Sequence, residues 1–94
     1  MKSIWLESAL DDLDATILWV SCYDLDAALK LDEEVAQLVK RLEQFPLSGR
    51  AGRVKDTREA IVDNYVMVYR VTERNIEILR FIHGARQYPP FPED

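Results

Sequence analysis

The chain of 94 residues has few of the features that mark exported or membrane proteins. Its single cysteine, Cys22, excludes an internal disulfide, as expected of a protein in a reducing cytosol. No apolar run approaches the roughly 20 residues of a transmembrane helix. The first residues also lack the apolar stretch of a signal peptide, because Glu7 and Asp11 interrupt it. We therefore expect a cytoplasmic protein that does not enter the membrane.

The chain is also poor in basic charge, and its formal net charge is -5. Residues 1–47 contain 4 basic and 10 acidic side chains, whereas residues 48–94 contain 8 and 7. Four of those eight basic side chains lie between residues 50 and 58, beside a single acid, Asp56. General nucleic-acid binders are usually basic overall, because neutralising phosphates supplies much of their affinity. The charge therefore disfavours avid RNA or DNA binding, but it allows a local anion site at residues 50–58.

What the sequence does contain is enough apolar surface for one domain. Hydrophobic residues make up 48% of the chain and are spread along it, which argues against disorder. A chain of this length supports one core and is too short for two. We expect residues 1–89 to form a single domain and residues 90–94, which contain proline and acidic residues, to form a flexible tail.

A short strand at residues 4–7 is predicted to lead into an amphipathic helix. Ser8 is the expected N-cap of this helix, with Asp11 three residues later as its partner in a capping box. Apolar residues then recur at spacings of three and four, which predicts a buried stripe made of Leu10, Leu13, Ile17 and Val20.

A second helix follows after a short link at residues 21–24. Asp24 or Asp26 is its expected cap, and the helix should end before Pro46, because proline cannot continue the hydrogen-bond ladder. The periodicity predicts a buried face consisting of Ala28, Leu31, Val35, Leu38 and Leu42. The short link predicts that the two helices pair as an antiparallel αα-hairpin.

The second half of the chain changes from helical to strand periodicity. Residues 46–53 form a glycine-containing loop, and strands are predicted at 57–62, 65–71 and 76–83, with a turn at Asn64. The whole order predicts an α+β domain, in which an N-terminal strand and the antiparallel αα-hairpin pack on a small, mainly antiparallel sheet.

Several motifs in this second half carry a resemblance to a known family. They are Gly49-Arg50 and Gly52-Arg53-Val54, Thr57-Arg58-Glu59, Tyr65-Val66-Met67-Val68-Tyr69-Arg70-Val71, and His83-Gly84-Ala85-Arg86-Gln87-Tyr88-Pro89. With the strand and helices before them, the chain resembles the RelE/ParE superfamily of toxins from bacterial type II toxin–antitoxin systems. The resemblance implies the two-layer fold, a cognate antitoxin that forms a hetero-oligomer with the toxin, and growth arrest when the toxin is free.

The resemblance leaves the cellular target open. RelE-like toxins cut messenger RNA on the ribosome, whereas ParE-like toxins inhibit DNA gyrase and block replication. The RNA-cleaving members have an arginine in the third strand, at the position that Val66 takes here. This difference and the acidic net charge favour ParE-like gyrase inhibition by binding over a RelE-like ribosome-dependent endoribonuclease. A third hypothesis is an interaction module that keeps the fold and neither activity.

If the chain is a nuclease, it needs an acid, a base and cations around the reacting phosphate. The candidate catalytic residues are those with suitable side chains at the last strand and in the basic stretch: His83, Arg86, Tyr88 and Arg58. Structural roles are the alternative: His83 as a hydrogen-bonded histidine at a strand end, and Tyr88 as an aromatic side chain that covers the sheet edge. Arg58 and Arg70 have carboxylates nearby in sequence, and pairing with an acidic neighbour is the expected role of Arg70.

The remaining basic residues of the stretch, Arg50, Arg53 and Lys55, are candidates for binding the target or the antitoxin. A solvated loop is the alternative explanation for them. No metal or cofactor is predicted, because one histidine and one cysteine far apart in sequence make poor metal ligands.

Overall fold

The computed structural model describes residues 1–84, which form two helices on a five-stranded sheet. The elements are β1 (Lys2–Trp5), α1 (Glu7–Ser21), α2 (Leu25–Gln44), β2 (Arg50–Ala51), β3 (Arg58–Val62), β4 (Tyr65–Val71) and β5 (Asn75–His83). The strand order is β1-β5-β4-β3-β2, with β1 parallel to β5 and all other pairs antiparallel. The α+β architecture predicted from the sequence is confirmed. Neither helix is long and apolar enough to span a bilayer.

Helix α2 buries the face that its periodicity predicted. The five predicted residues, Ala28, Leu31, Val35, Leu38 and Leu42, are all at most 4% exposed. Burial of its larger apolar side chains contributes about 1.5–3 kcal/mol each, which holds the helix on the sheet. The carboxylate of Asp24 accepts a hydrogen bond from the N–H of Ala27 at 3.1 Å, so Asp24 is the N-cap. The helix ends at Gln44, two residues before Pro46.

Helix α1 begins differently from the prediction. It starts at Glu7 after Leu6, and no side chain caps it. The hydroxyl of Ser8 donates to the carbonyl of Leu79 in β5 at 2.8 Å, so the expectation of a Ser8 N-cap is wrong. The reason lies in the tertiary structure. Strand β1 ends at Trp5, and beyond that point the first turn of α1 supplies a hydrogen-bond donor to a backbone carbonyl of β5.

The buried stripe of α1 is also shifted by one position at its start. Ala9 is fully buried, whereas Leu10, which was predicted to be buried, is 45% exposed. Leu13, Ile17 and Val20 pack against the core as predicted. The helix therefore presents the side of Ala9 to the sheet, and the periodicity alone did not distinguish it from the side of Leu10.

The central strands carry side chains into two apolar clusters. The larger one lies under the helices and includes Met67, Tyr69, Ile76, Ile78 and Phe81. The smaller one consists of Val66, Val68, Leu79 and Ile82, with Leu6 packed against it. Strands β4 and β5 therefore contribute buried residues on both of their faces, and Val66 itself is only 4% exposed.

Three details of the strands differ from the sequence prediction. Strand β1 covers Lys2–Trp5, whereas residues 4–7 were predicted. A two-residue strand, β2, lies within the segment that was expected to be entirely loop. Strand β3 begins at Arg58, because the hydroxyl of Thr57 donates to the carbonyl of Val54 at 2.6 Å and so belongs to the turn before the strand. Asp63 lies in the turn between β3 and β4 with a backbone φ of 54°, in the left-handed region that aspartate tolerates.

Candidate functional site

A buried carboxylate fastens the loop of residues 46–57, here called the Gly-Arg loop, to the sheet. Pairing of β2 with β3 places Arg50 opposite Glu59. The Nε and Nη2 of Arg50 donate to Oε1 of Glu59 at 2.9 and 2.8 Å, and the backbone N–H of Arg53 donates to Oε2 at 3.2 Å. The side chain of Glu59 is 2% exposed, compared with 58% for Arg50. The buried acid therefore organises both a side chain and the backbone of the loop.

A buried tyrosine fastens the start of the same loop. The hydroxyl of Tyr69 donates to the carbonyl of Pro46 at 2.8 Å and accepts from the N–H of Gly49 at 2.9 Å. A Cβ at Gly49 would lie 2.5 Å from that hydroxyl, so a larger residue does not fit. Arg58 donates to the carbonyls of Leu47 and Gly49 at 3.2 and 2.8 Å. These contacts satisfy backbone groups that the irregular loop cannot pair internally.

The tip of the Gly-Arg loop is a tight turn that displays basic side chains. The N–H of Gly52 donates to the carbonyl of Thr57 at 2.8 Å. A Cβ at Gly52 would overlap the hydroxyl oxygen of Thr57, so this close approach requires glycine. Arg53 and Lys55 are exposed at the tip. All three binding candidates are exposed, and Arg50 is in addition ion-paired with Glu59 on the sheet.

The two strand arginines are engaged in different ways. Arg70 pairs with Glu77 at 2.7 Å, which confirms the pairing expected for it. Arg58 instead uses its guanidinium to bind backbone carbonyls of the Gly-Arg loop. Both side chains therefore have structural partners, and Arg58 positions the loop that carries Arg53 and Lys55.

Arg58 and His83, two of the catalytic candidates, lie at opposite ends of the sheet. In the strand register, Arg58 of β3 lies opposite Tyr69 of β4. Four residues earlier in β4, Tyr65 lies between Val62 of β3 and His83 of β5. At ~3.3 Å per residue and ~4.8 Å per strand, the two Cα atoms are about 16 Å apart. The sheet therefore does not bring Arg58 and His83 together. The other two candidates, Arg86 and Tyr88, lie outside the described residues.

His83 contacts an aromatic stack at its end of the sheet. Its ring meets Tyr65 edge-on with centroids 5.4 Å apart, and Tyr65 stacks on Phe81 at 5.2 Å. Across a groove from this stack lies Trp19 of α1. Within residues 1–84, no three His, Cys, Asp or Glu side chains are grouped so that they could hold a metal ion.

Asp12, which no sequence motif singled out, ties α1 to the sheet. Asp12 accepts hydrogen bonds from Nε and Nη2 of Arg80 at 2.6 and 3.2 Å and from the N–H of Phe81 at 2.9 Å. The hydrogen bond to Asp12 raises the pKa of Arg80. Glu59 and Tyr69 were missed as positioning residues too. The available signal was an acidic residue, Glu59, directly before the apolar run Ala60-Ile61-Val62 of β3.

Tyr69→Phe tests the fastening of the Gly-Arg loop through its pH dependence. Burial raises the pKa of the Tyr69 hydroxyl, which outweighs the lowering effects of the Gly49 hydrogen bond and the Arg58 charge. In the unfolded chain the pKa of tyrosine is about 10. Below that pH the neutral hydroxyl contributes its full stabilisation, and this contribution is lost as the pH rises through the higher pKa of the folded state. We expect Tyr69→Phe to cost about 1–3 kcal/mol near neutral pH.

The measurement is urea unfolding of both proteins near neutral pH and at about pH 11. The stability gap should narrow at the higher pH, because the wild type loses what the variant already lacks. Tyr23→Phe is the control, since Tyr23 is 75% exposed. An unchanged gap at both pH values would contradict the assignment.

Comparison with known proteins extends over nearly the whole chain. The family model described as "ParE toxin of type II toxin-antitoxin system, parDE" matches residues 4–88. A curated relative, the putative toxin Y4kP of Sinorhizobium fredii, is 36% identical over 87 residues, which cover 90% of each chain.

Solved structures share the fold. A structure of the chromosomal ParDE toxin–antitoxin system from P. aeruginosa superposes with a TM-score of 0.79 at 27% identity, over 88% of this chain and 95% of that one. The RelBE2 toxin–antitoxin complex of Mycobacterium tuberculosis gives a TM-score of 0.62 at 20% identity, over 87% and 95%. The YoeB/ParE toxin from Agrobacterium tumefaciens gives 0.64 at 20% identity, over 88% and 98%.

Proposed function

The chain belongs to the ParE toxin family of type II toxin–antitoxin systems, and on this premise we propose that it arrests growth by binding DNA gyrase. In this proposal the free toxin blocks replication without chemistry of its own. A cognate antitoxin holds it inactive in a cytoplasmic complex. The similarity to a ParDE system at 27% identity supports both the antitoxin partner and the ParE-like mechanism.

The observation that carries this choice is the separation of Arg58 from His83 by about 16 Å along and across the sheet. Cleavage of RNA at one phosphate needs its acid, base and cations within hydrogen-bond reach of the reacting atoms. Among the described residues, Arg58 is held on loop carbonyls, and Arg50 is held on Glu59. The position where RNA-cleaving members have an arginine is a valine, Val66, buried in an apolar cluster.

A binding inhibitor needs a surface that is already ordered before the target arrives, because ordering a loop on binding reduces affinity. The Gly-Arg loop meets this need. Glu59, Tyr69 and Arg58 hold its backbone, and its tip displays Arg53 and Lys55 on a protein that is acidic overall. We propose this tip as the part that contacts the target.

Induction of the chain in cells without an antitoxin tests the function. Gyrase inhibition predicts filamentation, an SOS response and DNA breaks, together with loss of supercoiling activity when the purified chain is added to gyrase. Cuts positioned by codon in translated messages, with gyrase unaffected, would replace this proposal with a ribosome-dependent endoribonuclease. Unchanged growth would leave an interaction module without either activity.

A further inference from the structure

The outer edge of β3 is covered only in part by the short strand β2. Strand β2 pairs with β3 at Arg58 and Glu59. The N–H of Gly52 donates to the carbonyl of Thr57, so the backbone groups of Thr57 face β2. The backbone groups of alternate residues in a strand point to the same side, so those of Glu59 and Ile61 face that way too. The outward N–H and C=O of Ile61 therefore lie one step beyond the end of β2.

The chain before β2 leaves this edge and does not pair with Ile61. The strand register would place Ser48 opposite Ile61, but the N–H of Ser48 donates to the carbonyl of Phe45 at 3.0 Å. The N–H of Gly49 donates to the hydroxyl of Tyr69 at 2.9 Å. In the part of the chain that the structure describes, the backbone of Ile61 therefore has no strand partner on its outer side. An open edge of this kind accepts an extended segment of another protein as a further strand.

A groove, here called the α2–β3 groove, runs along this open edge between α2 and β3. It has two parts, with volumes of about 290 and 220 Å³, which share Leu38, Arg41 and Ile61. The first part reaches the Gly-Arg loop, and the second reaches Asp63 in the β3–β4 turn. The groove is therefore continuous with the loop whose tip is proposed above to contact the target.

The charge of the α2–β3 groove changes along its length. Among the described residues, no carboxylate pairs with the guanidinium of Arg41, whereas Arg50 pairs with Glu59. The other two carboxylates that line the groove, those of Glu34 and Asp63, belong to the part away from the Gly-Arg loop. The groove is thus basic near the loop and acidic near the turn. An acidic side chain placed beside Arg41 gains an ion pair there.

We propose that the α2–β3 groove binds an extended acidic segment of gyrase, which adds to β3 as a further strand. The backbone of this segment bonds the N–H and C=O of Ile61. Successive side chains of a strand point to opposite faces, and Ala60 and Val62 lie in the core under the helices. An acidic side chain on the helix side therefore reaches Arg41, and an apolar side chain on the other side covers Ile61, which is 50% exposed. This inference rests on the proposed function for the partner's identity.

A second copy of the chain fits this edge less well than a separate segment does. A symmetric antiparallel pairing about Ile61 would place Asp63 of one copy opposite Glu59 of the other. That position is already occupied by Arg50 of β2. A segment of another protein is not bound by this symmetry and can lie along the edge from the turn towards the loop.

Inhibition of supercoiling by purified DNA gyrase is the first measurement. Arg41→Glu and Ile61→Lys are each expected to raise the chain concentration needed for half inhibition at least about tenfold, as loss of an interface anchor does. Lys40→Glu is the matched charge control, because Lys40 is the exposed neighbour of Arg41 on α2 and does not line the groove. Ile4→Lys is the matched control for Ile61, because Ile4 is 45% exposed on the strand at the opposite edge of the sheet. Both controls should inhibit as the wild type does.

Further readouts distinguish binding at the groove from a change in the fold. The N–H of Ile61 should exchange rapidly in the free chain and become protected in the gyrase complex, whereas the N–H of Ala60, which faces β4, is protected in both. Arg41→Lys keeps the charge and should retain most of the inhibition. The effect of Arg41→Glu should be smaller at high salt. Urea unfolding of each variant checks that the fold is intact.

The outcomes separate this inference from the proposed function. If the wild type and all variants inhibit gyrase equally while the N–H of Ile61 stays unprotected, the inference is wrong and the proposed function stands. If the wild type does not inhibit gyrase, both fall. If the antitoxin protects Ile61 and gyrase does not, the groove belongs to the antitoxin and the inference is wrong. The same holds for a second copy if sedimentation shows that the free chain dimerises and that Ile61→Lys is monomeric.

Discussion

Replacing Asp12 with alanine is expected to lower the free energy of unfolding by about 3 kcal/mol. The carboxylate accepts from two nitrogens of Arg80 and from the N–H of Phe81. Without it, a guanidinium whose side chain is only 22% exposed and an edge N–H of β5 both lose their acceptor. The loss is large because removing one member of a partly buried ion pair leaves the other desolvated and unpaired.

Chemical denaturation of Asp12→Ala and of Asp14→Ala provides the matched comparison on one helix. Asp14 is exposed, and its replacement should change the stability by no more than about 0.5 kcal/mol. Equal effects of the two substitutions would show that helix-dipole charge, rather than the bonds to β5, is what Asp12 contributes.

Replacing Glu59 with alanine is expected to cost about 2–3 kcal/mol and to release the Gly-Arg loop. Removal of the carboxylate leaves a cavity at a 2% exposed position and deprives the Arg53 N–H of its acceptor. The cost stays below that of a fully buried pair, because the guanidinium of Arg50 is 58% exposed and water can solvate it. Urea unfolding gives the stability, and backbone hydrogen exchange across residues 50–57 reports the release of the loop.

Two variants bracket this prediction. Glu59→Gln preserves the shape and one acceptor, so it should cost less than Glu59→Ala. Glu77→Ala removes the acid of the more exposed Arg70 pair and should cost about 1 kcal/mol or less. A loop as protected in Glu59→Ala as in the wild type would contradict the positioning role. At a temperature where Glu59→Gln remains folded, gyrase inhibition should fall.

Local chemistry was enough to predict most elements of the fold. The buried face of α2, its Asp24 cap and its end before Pro46 follow from periodicity, side-chain hydrogen bonding and the missing N–H of proline. Strand β4 was predicted with its observed bounds, because five of its seven residues are valine or tyrosine, which favour strands, and turn residues lie on both sides. The misses at Ser8 and Leu10 occurred where a neighbouring strand decided the outcome.

The candidate site was less predictable, because its residues act through partners distant in sequence. The basic stretch could be recognised as a group of charges, but the engagement of Arg50 and Arg58 depends on Glu59 and on loop carbonyls. In the same way, Arg58 and His83 are both recognisable as chemically competent side chains. Only strand register shows that they lie at opposite ends of the sheet.

The sequence by itself determined the family, the α+β fold class and the amphipathic face of α2, since these depend on composition, periodicity and motifs that are local in the chain. The tertiary structure decided which charges are paired, which basic residues face solvent and where apolar side chains remain uncovered. Two leucines on helices show the physical reason. Leu31 lies on the face of α2 that packs on the core and is 4% exposed, whereas Leu18 lies outside the core-facing stripe of α1 and is 67% exposed.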